Sequence, residues 1–300
     1  MSKFTTYLNT RPVLVADGAT GTMLQKAGLP PGAAPERWNL ENPDAVRALY
    51  QAYLDAGADL ILTNTFGGTP ARLERDNLHE QVHAVNLAAA QLAREIVGDD
   101  SPELAAGRAL VIGDIGPTGQ LLEPLGTLAR ADAVSGFAAQ AAALAEGGAD
   151  AILIETMSDL GEATAAIEGT RQVTDLPILV TMSFDTKGRT MMGVKPEKAA
   201  QTLWGMDVAV IGANCGRTLS ETLDAVLKMR SVVPEAVLMA KPNAGLPHAE
   251  GGDLVYDVTP EIMAEYAQRF VAEAGVKIFG GCCGSTPEHI RAVAAVLKGV

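Results

Sequence analysis

Cys215, Cys282 and Cys283 are the three cysteines of this 300-residue chain. Each closes a short apolar run: Val208-Ala-Val-Ile-Gly-Ala-Asn-Cys215 in one case, Val276-Lys-Ile-Phe-Gly-Gly-Cys-Cys283 in the other. Both runs read as buried strands that finish on thiols. Three thiolates gathered at strand ends make an incomplete tetrahedral zinc site whose fourth position is open to a substrate. The bland alternatives are a buried apolar cysteine at 215 and an inert vicinal pair. The three together favour the metal, and their odd, small number argues against a secreted disulfide scaffold.

Other polar groups fall in equivalent places. Eight β-rich runs alternate with Ala/Leu-rich amphipathic segments: 13–17, 60–64, 110–114, 151–155, 178–183, 208–215, 237–241 and 277–283. Apolar runs without alternation suit parallel strands covered on both faces. Between them lie helical patterns such as 43–54, with apolar residues three and four apart after an Asn42 cap and a first-turn proline. Gly57, Gly148 and Gly275 sit just past three helices, where a left-handed cap is needed. Eight βα units predict one closed (β/α)8 TIM barrel over 1–300, an α/β fold with its metal at the C-terminal face of the strands. Asp17, Asn64, Asp114, Glu155, Ser183, Asn214, Lys241 and Asn243 all fall at that face, with the cysteines. A doubly wound open sheet is the rival. It would not obviously bring strands six and eight together, whereas in a closed barrel they lie two apart.

Bulk properties narrow the function classes. A hydrophobic content of 48% suffices for a large core, and a net charge of -13 leaves no basic excess to neutralise phosphates, so nucleic acid is not an expected partner. No apolar stretch approaches membrane-spanning length, and the first residues lack the apolar centre of a signal peptide. The expected location is cytoplasmic, where thiols stay reduced.

The motifs Asp17-Gly-Ala-Thr-Gly-Thr22, Asn64-Thr-Phe-Gly67, Asp114-Ile-Gly-Pro117, Ile154-Glu-Thr156, Gly212-Ala-Asn-Cys215 and Gly280-Gly-Cys-Cys-Gly284 span nearly the whole chain. In them it resembles the homocysteine S-methyltransferase family, which includes the homocysteine-binding module of cobalamin-dependent methionine synthase and betaine–homocysteine methyltransferase. The resemblance implies a zinc-bearing barrel that methylates homocysteine sulfur to give methionine, with Cys215, Cys282 and Cys283 on the metal. A free thiol with a pKa near ~8.5 is mostly protonated at neutral pH, and coordination to zinc deprotonates it. Flanking Gly280, Gly281 and Gly284 are expected to permit the backbone angles that let adjacent cysteines share one ion. Asp17 and Glu155 match positions associated with amino-acid recognition, and are expected to hold the substrate ammonium. The amides of Gly18, Ala19 and Thr20 are candidates for the carboxylate at a helix N-terminus. Ser183 and Asn214 are weaker candidates, Asp114 reads as structural, and His79, His83, His248 and His289 read as surface residues.

The expected methyl donor is a separate methylcorrinoid protein. The alternative is a small onium compound such as glycine betaine, a dimethylsulfonio compound or S-methylmethionine. Recognition of an onium cation calls for an aromatic cage, yet aromatic content is 4% and Thr156 stands where the betaine-using branch would show an aromatic. Trp38, with Phe66 and Phe184, is the candidate aromatic surface for such a cation. Outside this class stand a Schiff-base lyase using Lys241 and a non-catalytic zinc or thiol sensor.

Overall fold

The apolar runs form β1 (Leu14–Val15), β2 (Leu60–Leu62), β3 (Leu110–Ile115), β4 (Ala151–Met157), β5 (Ile178–Met182), β6 (Val210–Cys215) and β7 (Leu238–Pro242). A hairpin of β8 (Pro247–Glu250) and β9 (Asp253–Tyr256) follows, and then β10 (Ile278–Phe279). The computed structural model describes residues 2–98, 109–250 and 253–299. Eight strands pair in the order β1-β10-β7-β6-β5-β4-β3-β2, every ladder parallel. A parallel bridge between Ala16 and Leu60 joins the two ends, so the sheet closes on itself as a TIM barrel. Among the described residues no helix is long and apolar enough to cross a membrane.

Burial on both faces explains the unbroken apolar runs, since β3 and β5 are buried along their whole length. Side chains divide by parity. Leu14, Leu62, Ile112, Leu153, Leu179, Val210, Met239 and Ile278 fill the barrel interior, joined from below by Phe4 of the helix Lys3–Thr10. Their neighbours Val15, Ile61, Val111, Ile152, Val180 and Ile211 face the surrounding helices. The helix Pro43–Asp55 turns Val46, Leu49, Tyr50 and Tyr53 inward at the three- and four-residue spacing read from the sequence. Asn42 occupies its cap position without a side-chain capping bond. Gly57, Gly148 and Gly275 take φ values of 92°, 94° and 63° just past their helices, the left-handed turn expected of them.

One boundary differs. The last strand stops at Phe279, so Cys282 and Cys283 stand on the turn beyond it. Gly280 and Gly281 do not take left-handed angles there, and only Gly284 does, at φ 79°. Close approach is what Gly280 and Gly281 provide. A Cβ on Gly280 would lie 2.8 Å from both Ala16 Cβ and the Asp17 carbonyl oxygen, and one on Gly281 2.2 Å from Ser285 Oγ. The amides of Gly280, Gly281 and Cys282 bond to the carbonyls of Ala240, Asp17 and Pro242 at 3.0, 2.9 and 2.9 Å. The thiols are thereby pinned between the ends of β1 and β7.

Candidate metal and substrate site

Both β6 and β10 flank β7, and this brings the three cysteines together. Their sulfurs lie within 4.8 Å of one another, with Cys215 and Cys282 at 2.8 Å. Sulfurs sharing a tetrahedral zinc at a Zn–S distance of ~2.3 Å stand about 3.8 Å apart, a spacing this cluster brackets. The donor set fits zinc: three soft sulfur ligands, no carboxylate or imidazole in the group, and one tetrahedral position left over. Cys215 is held at φ 55°, in the left-handed region, strain of a kind that gathers at functional sites. Asn214 Nδ2 faces the Cys215 and Cys282 sulfurs at 3.8 and 3.9 Å. Hydrogen bonds from Cys215 and Cys282 hold the Cys283 thiol well below its ordinary range, while bonds to Cys282 and Cys283 push Cys215 up. Binding of a metal to such thiols releases their protons.

The sulfurs share the wall of a cavity of about 430 Å³ with Gly18–Thr22, Phe66, Asp114, Glu155, Thr156 and Lys241. Register explains the polar part of that wall. Two residues beyond interior Ile112, Leu153, Leu179 and Met239 stand Asp114, Glu155, Thr181 and Lys241, all buried. They form the top layer of the barrel interior. Lys241 Nζ is 3.0 Å from Glu155 Oε2 and 4.0 Å from Asp17 Oδ1. Burial alone would lower the Lys241 pKa, but Glu155, Asp17 and Asp114 outweigh it and raise it. The lysine is an ammonium, unlike the neutral amine a Schiff base requires.

Burial acts oppositely on the acids. It pushes Asp17 up to about 7 against the attraction of Lys241. Asp114 and Glu155 are raised by burial as well. Asp17 Oδ2 accepts the Leu62 amide at 2.7 Å, yet Asp17 Oδ1 and Asp114 Oδ1 have no hydrogen-bond partner. Open acceptors on buried acids mark a place for a donor.

The remaining sequence candidates divide. Gly18, Ala19 and Thr20 line the cavity, but the Ala19 amide is already bonded to Ser285 Oγ at 3.2 Å. Asn214 Oδ1 accepts from the Thr156 amide at 2.8 Å and from Thr181 Oγ1 at 2.7 Å. It thereby braces Thr156, a β-branched residue at φ 62°. Ser183 is buried beyond β5, with its amide on the Met157 carbonyl, and does not line the cavity. Phe184 packs in the hydrophobic core and Trp38, half-buried, packs against it, while Phe66 does face the cavity.

His289 departs from its surface reading. It is 8% exposed, and its ring bridges the Thr286 amide at 3.2 Å and the Val258 carbonyl at 2.8 Å. Asp114 ties its surroundings through its backbone, which bonds Thr63, Thr65 and Gln140, and it also lines the cavity. The two-residue step from interior Ile112 was the signal for it. Tyr256 of β9, whose ring lies against Gly284, has its pKa raised by burial and by the three cysteines. It escaped the sequence reading because the β8–β9 hairpin interrupts the βα repeat.

Residues 14–297 match the family model described as homocysteine S-methyltransferase. Methionine synthase of Mycobacterium leprae (strain TN) is 32% identical over 298 residues, 95% of this chain and 24% of that protein. Methionine synthase of Mycobacterium tuberculosis (strain ATCC 25618 / H37Rv) is 32% identical over 302 residues, 96% of this chain and 25% of that one. The chain thus spans about a quarter of the length of these relatives. The metallated form of the homocysteine methyltransferase MmuM from Escherichia coli superposes with a TM-score of 0.81 at 23% identity, covering 98% of this chain and 99% of that one. The MmuM likeness is one of fold; the family model and the two mycobacterial relatives show that this chain belongs to the homocysteine S-methyltransferase family.

Proposed function

We propose that the protein transfers a methyl group to the sulfur of homocysteine, forming methionine, and that Cys215, Cys282 and Cys283 hold a zinc ion for the reaction. The observation that carries this reading is the meeting of two groups in one cavity: three sulfurs within 4.8 Å of one another, and the buried acids Glu155 and Asp114, the latter with an open oxygen. Zinc, when bound, supplies the Lewis acidity that keeps a substrate thiol deprotonated at neutral pH. The chain's own residues do the rest. Three cysteine thiolates supply more negative charge than the dication carries, and so favour an electron-rich sulfur beside them. Asp17 Oδ1 accepts from the substrate ammonium, while Lys241 fixes Glu155. Gly18 and Thr20 offer the cavity wall nearest the helix Gly21–Lys26 to the carboxylate. Free cysteines suit a reducing, cytoplasmic setting.

The donor in this proposal is a methylated corrinoid carried by a separate protein. Among the described residues lining the cavity, Phe66 is the one aromatic, too few for an onium cage. Zinc-loaded protein incubated with homocysteine and methylcobalamin should give methionine, faster with a cognate corrinoid protein. Rapid turnover with betaine or S-methylmethionine alone would replace the donor and leave the thiol half standing. Absence of methionine with every donor, in protein shown to contain zinc, would remove the reading.

A further inference from the structure

Lys241 poses a charge problem for any cationic ligand of this cavity. Its side chain is 2% exposed and lies 3.0 Å from Glu155 and 4.0 Å from Asp17. The two carboxylates assigned to a substrate ammonium thus already share a resident cation. When ionised, Asp17 and Glu155 with Lys241 sum to one negative charge, and buried charges need local compensation.

A further acid is in place. Asp114 is 5% exposed and lines the cavity, and its Oδ1 has no hydrogen-bond partner. Its backbone is fixed from both sides. Its amide donates to Thr63 Oγ1 at 2.9 Å, and its carbonyl accepts from Thr65 Oγ1 at 2.7 Å and Gln140 Nε2 at 3.3 Å. Three buried side chains therefore hold one acid still while its own oxygen stays open. Register places it in the same interior layer as Glu155 and Lys241: Asp114 pairs with Leu153, two residues before Glu155.

We propose that Asp114 is a further substrate-contacting carboxylate, which receives the α-ammonium of homocysteine together with Asp17 and offsets the charge of Lys241, the positioning residue for Glu155. This rests on the homocysteine reading above and deepens it. Three carboxylates and one lysine sum to two negative charges when ionised, enough for one incoming ammonium with charge to spare. The cavity then selects thiols that carry an α-ammonium over thiols that lack one.

The test compares homocysteine with 4-mercaptobutyrate, which keeps the thiol and the carboxylate but has no ammonium. Affinities are measured by calorimetry on zinc-loaded protein, with zinc content checked in each variant. Asp114→Asn should bind homocysteine about tenfold to a hundredfold more weakly, the effect of losing a hydrogen bond to a charged group, with 4-mercaptobutyrate and zinc unchanged. Lys241→Met alone should also weaken homocysteine while sparing 4-mercaptobutyrate, because Glu155 then loses the cation that fixes it. Should Asp114→Asn not fold, Asp114→Ser tests the same ordering. Equal weakening of both thiols, or unchanged homocysteine affinity in Asp114→Asn, would each overturn the assignment of Asp114. Wild-type protein that binds neither thiol would overturn the functional reading and this assignment with it.

Discussion

The two ends of the barrel use the same device and finish it differently. At the N-terminal end, Asp59 precedes β2 and accepts the Val15 amide of β1 at 2.8 Å, with Lys298 at 3.0 Å and Arg11 on its other oxygen. Asp150 precedes β4 and accepts the Val111 amide of β3 at 2.8 Å, with Arg94 at 2.7 Å. At the C-terminal end, Asp17 follows β1 and accepts the Leu62 amide of β2 at 2.7 Å, but its second oxygen is open. Those three cations, 24% exposed for Arg11 and Lys298 and 19% for Arg94, reach water. Lys241 above is 2% exposed and does not. A carboxylate that ties one strand to the next can thus be completed for stability, or left incomplete for a ligand. The division of labour between barrel faces follows from that difference.

The largest expected effect comes from breaking the upper end at the sulfurs. Cys215→Ala, Cys282→Ala or Cys283→Ala should each remove most zinc, from about one per chain, and nearly all methyl transfer, because two thiolates cannot replace the lost ligand and its charge. Circular dichroism should show the barrel intact without metal, since the interior cluster from Leu14 to Ile278 makes no use of the ion. Stoichiometric zinc and normal turnover in Cys282→Ala would sink the site, and unfolding of the whole chain by a chelator would contradict the separation of core and metal.

Much of this comparison was legible in the sequence, for a physical reason. Strand ends of a parallel barrel announce themselves, because an unbroken apolar run stops at a polar residue. Asp17, Glu155, Lys241 and Cys215 were all found that way. The charge balance among them was not legible, since Lys241 meets Glu155 across 86 residues of sequence separation. Asp114 falls at a strand end, but its Gly-Pro neighbours carry the stronger local signal, that of a structural residue. Trp38 lies in a loop whose path the sequence does not give, and it packs, half-buried, against the core.

The open device should also be visible in stability. Asp17 has its pKa raised by burial to about 7 in the folded chain, against roughly 3.9 when unfolded. Below both values the group is protonated in either state. Between them the unfolded chain releases the proton and the folded one keeps it, so stability falls as pH rises, by about 1.4 kcal/mol per pH unit. Asp114 and Glu155 shift in the same direction. Metal-free Asp17→Asn should therefore gain on wild type in urea unfolding between pH 4.5 and 7. Parallel stability curves across that range would show Asp17 to be ionised throughout.

A smaller effect follows at the ligand. Asp17→Asn and Glu155→Gln should each weaken homocysteine binding about tenfold to a hundredfold, the 1.5–3 kcal/mol of a hydrogen bond to a charged group. Zinc content should hold, because the sulfurs are untouched. Unchanged affinity in both variants would return these acids to structural roles, and the upper end would then differ from the lower only in its cysteines.

The completed device should behave in the opposite way, and Asp59→Asn is the control that sharpens the contrast. Asp59 joins three elements: the Val15 amide of β1, Arg11 after the first helix, and Lys298 at the end of the last. An amide in its place keeps one acceptor oxygen for Val15 but turns an NH2 toward the cations. The expected loss is roughly 1–3 kcal/mol, the range for leaving buried polar partners unsatisfied. It falls in the lower part of that range because Arg11 and Lys298, each 24% exposed, can turn to water. The damage should stay at its own end. Zinc content and homocysteine affinity should match wild type, since an interior layer from Leu62 to Met239 separates Asp59 from the cavity. A loss of homocysteine affinity in Asp59→Asn comparable to that in Asp17→Asn would mean that the two ends are coupled through the strands, and the separation of stability below from recognition above would fail.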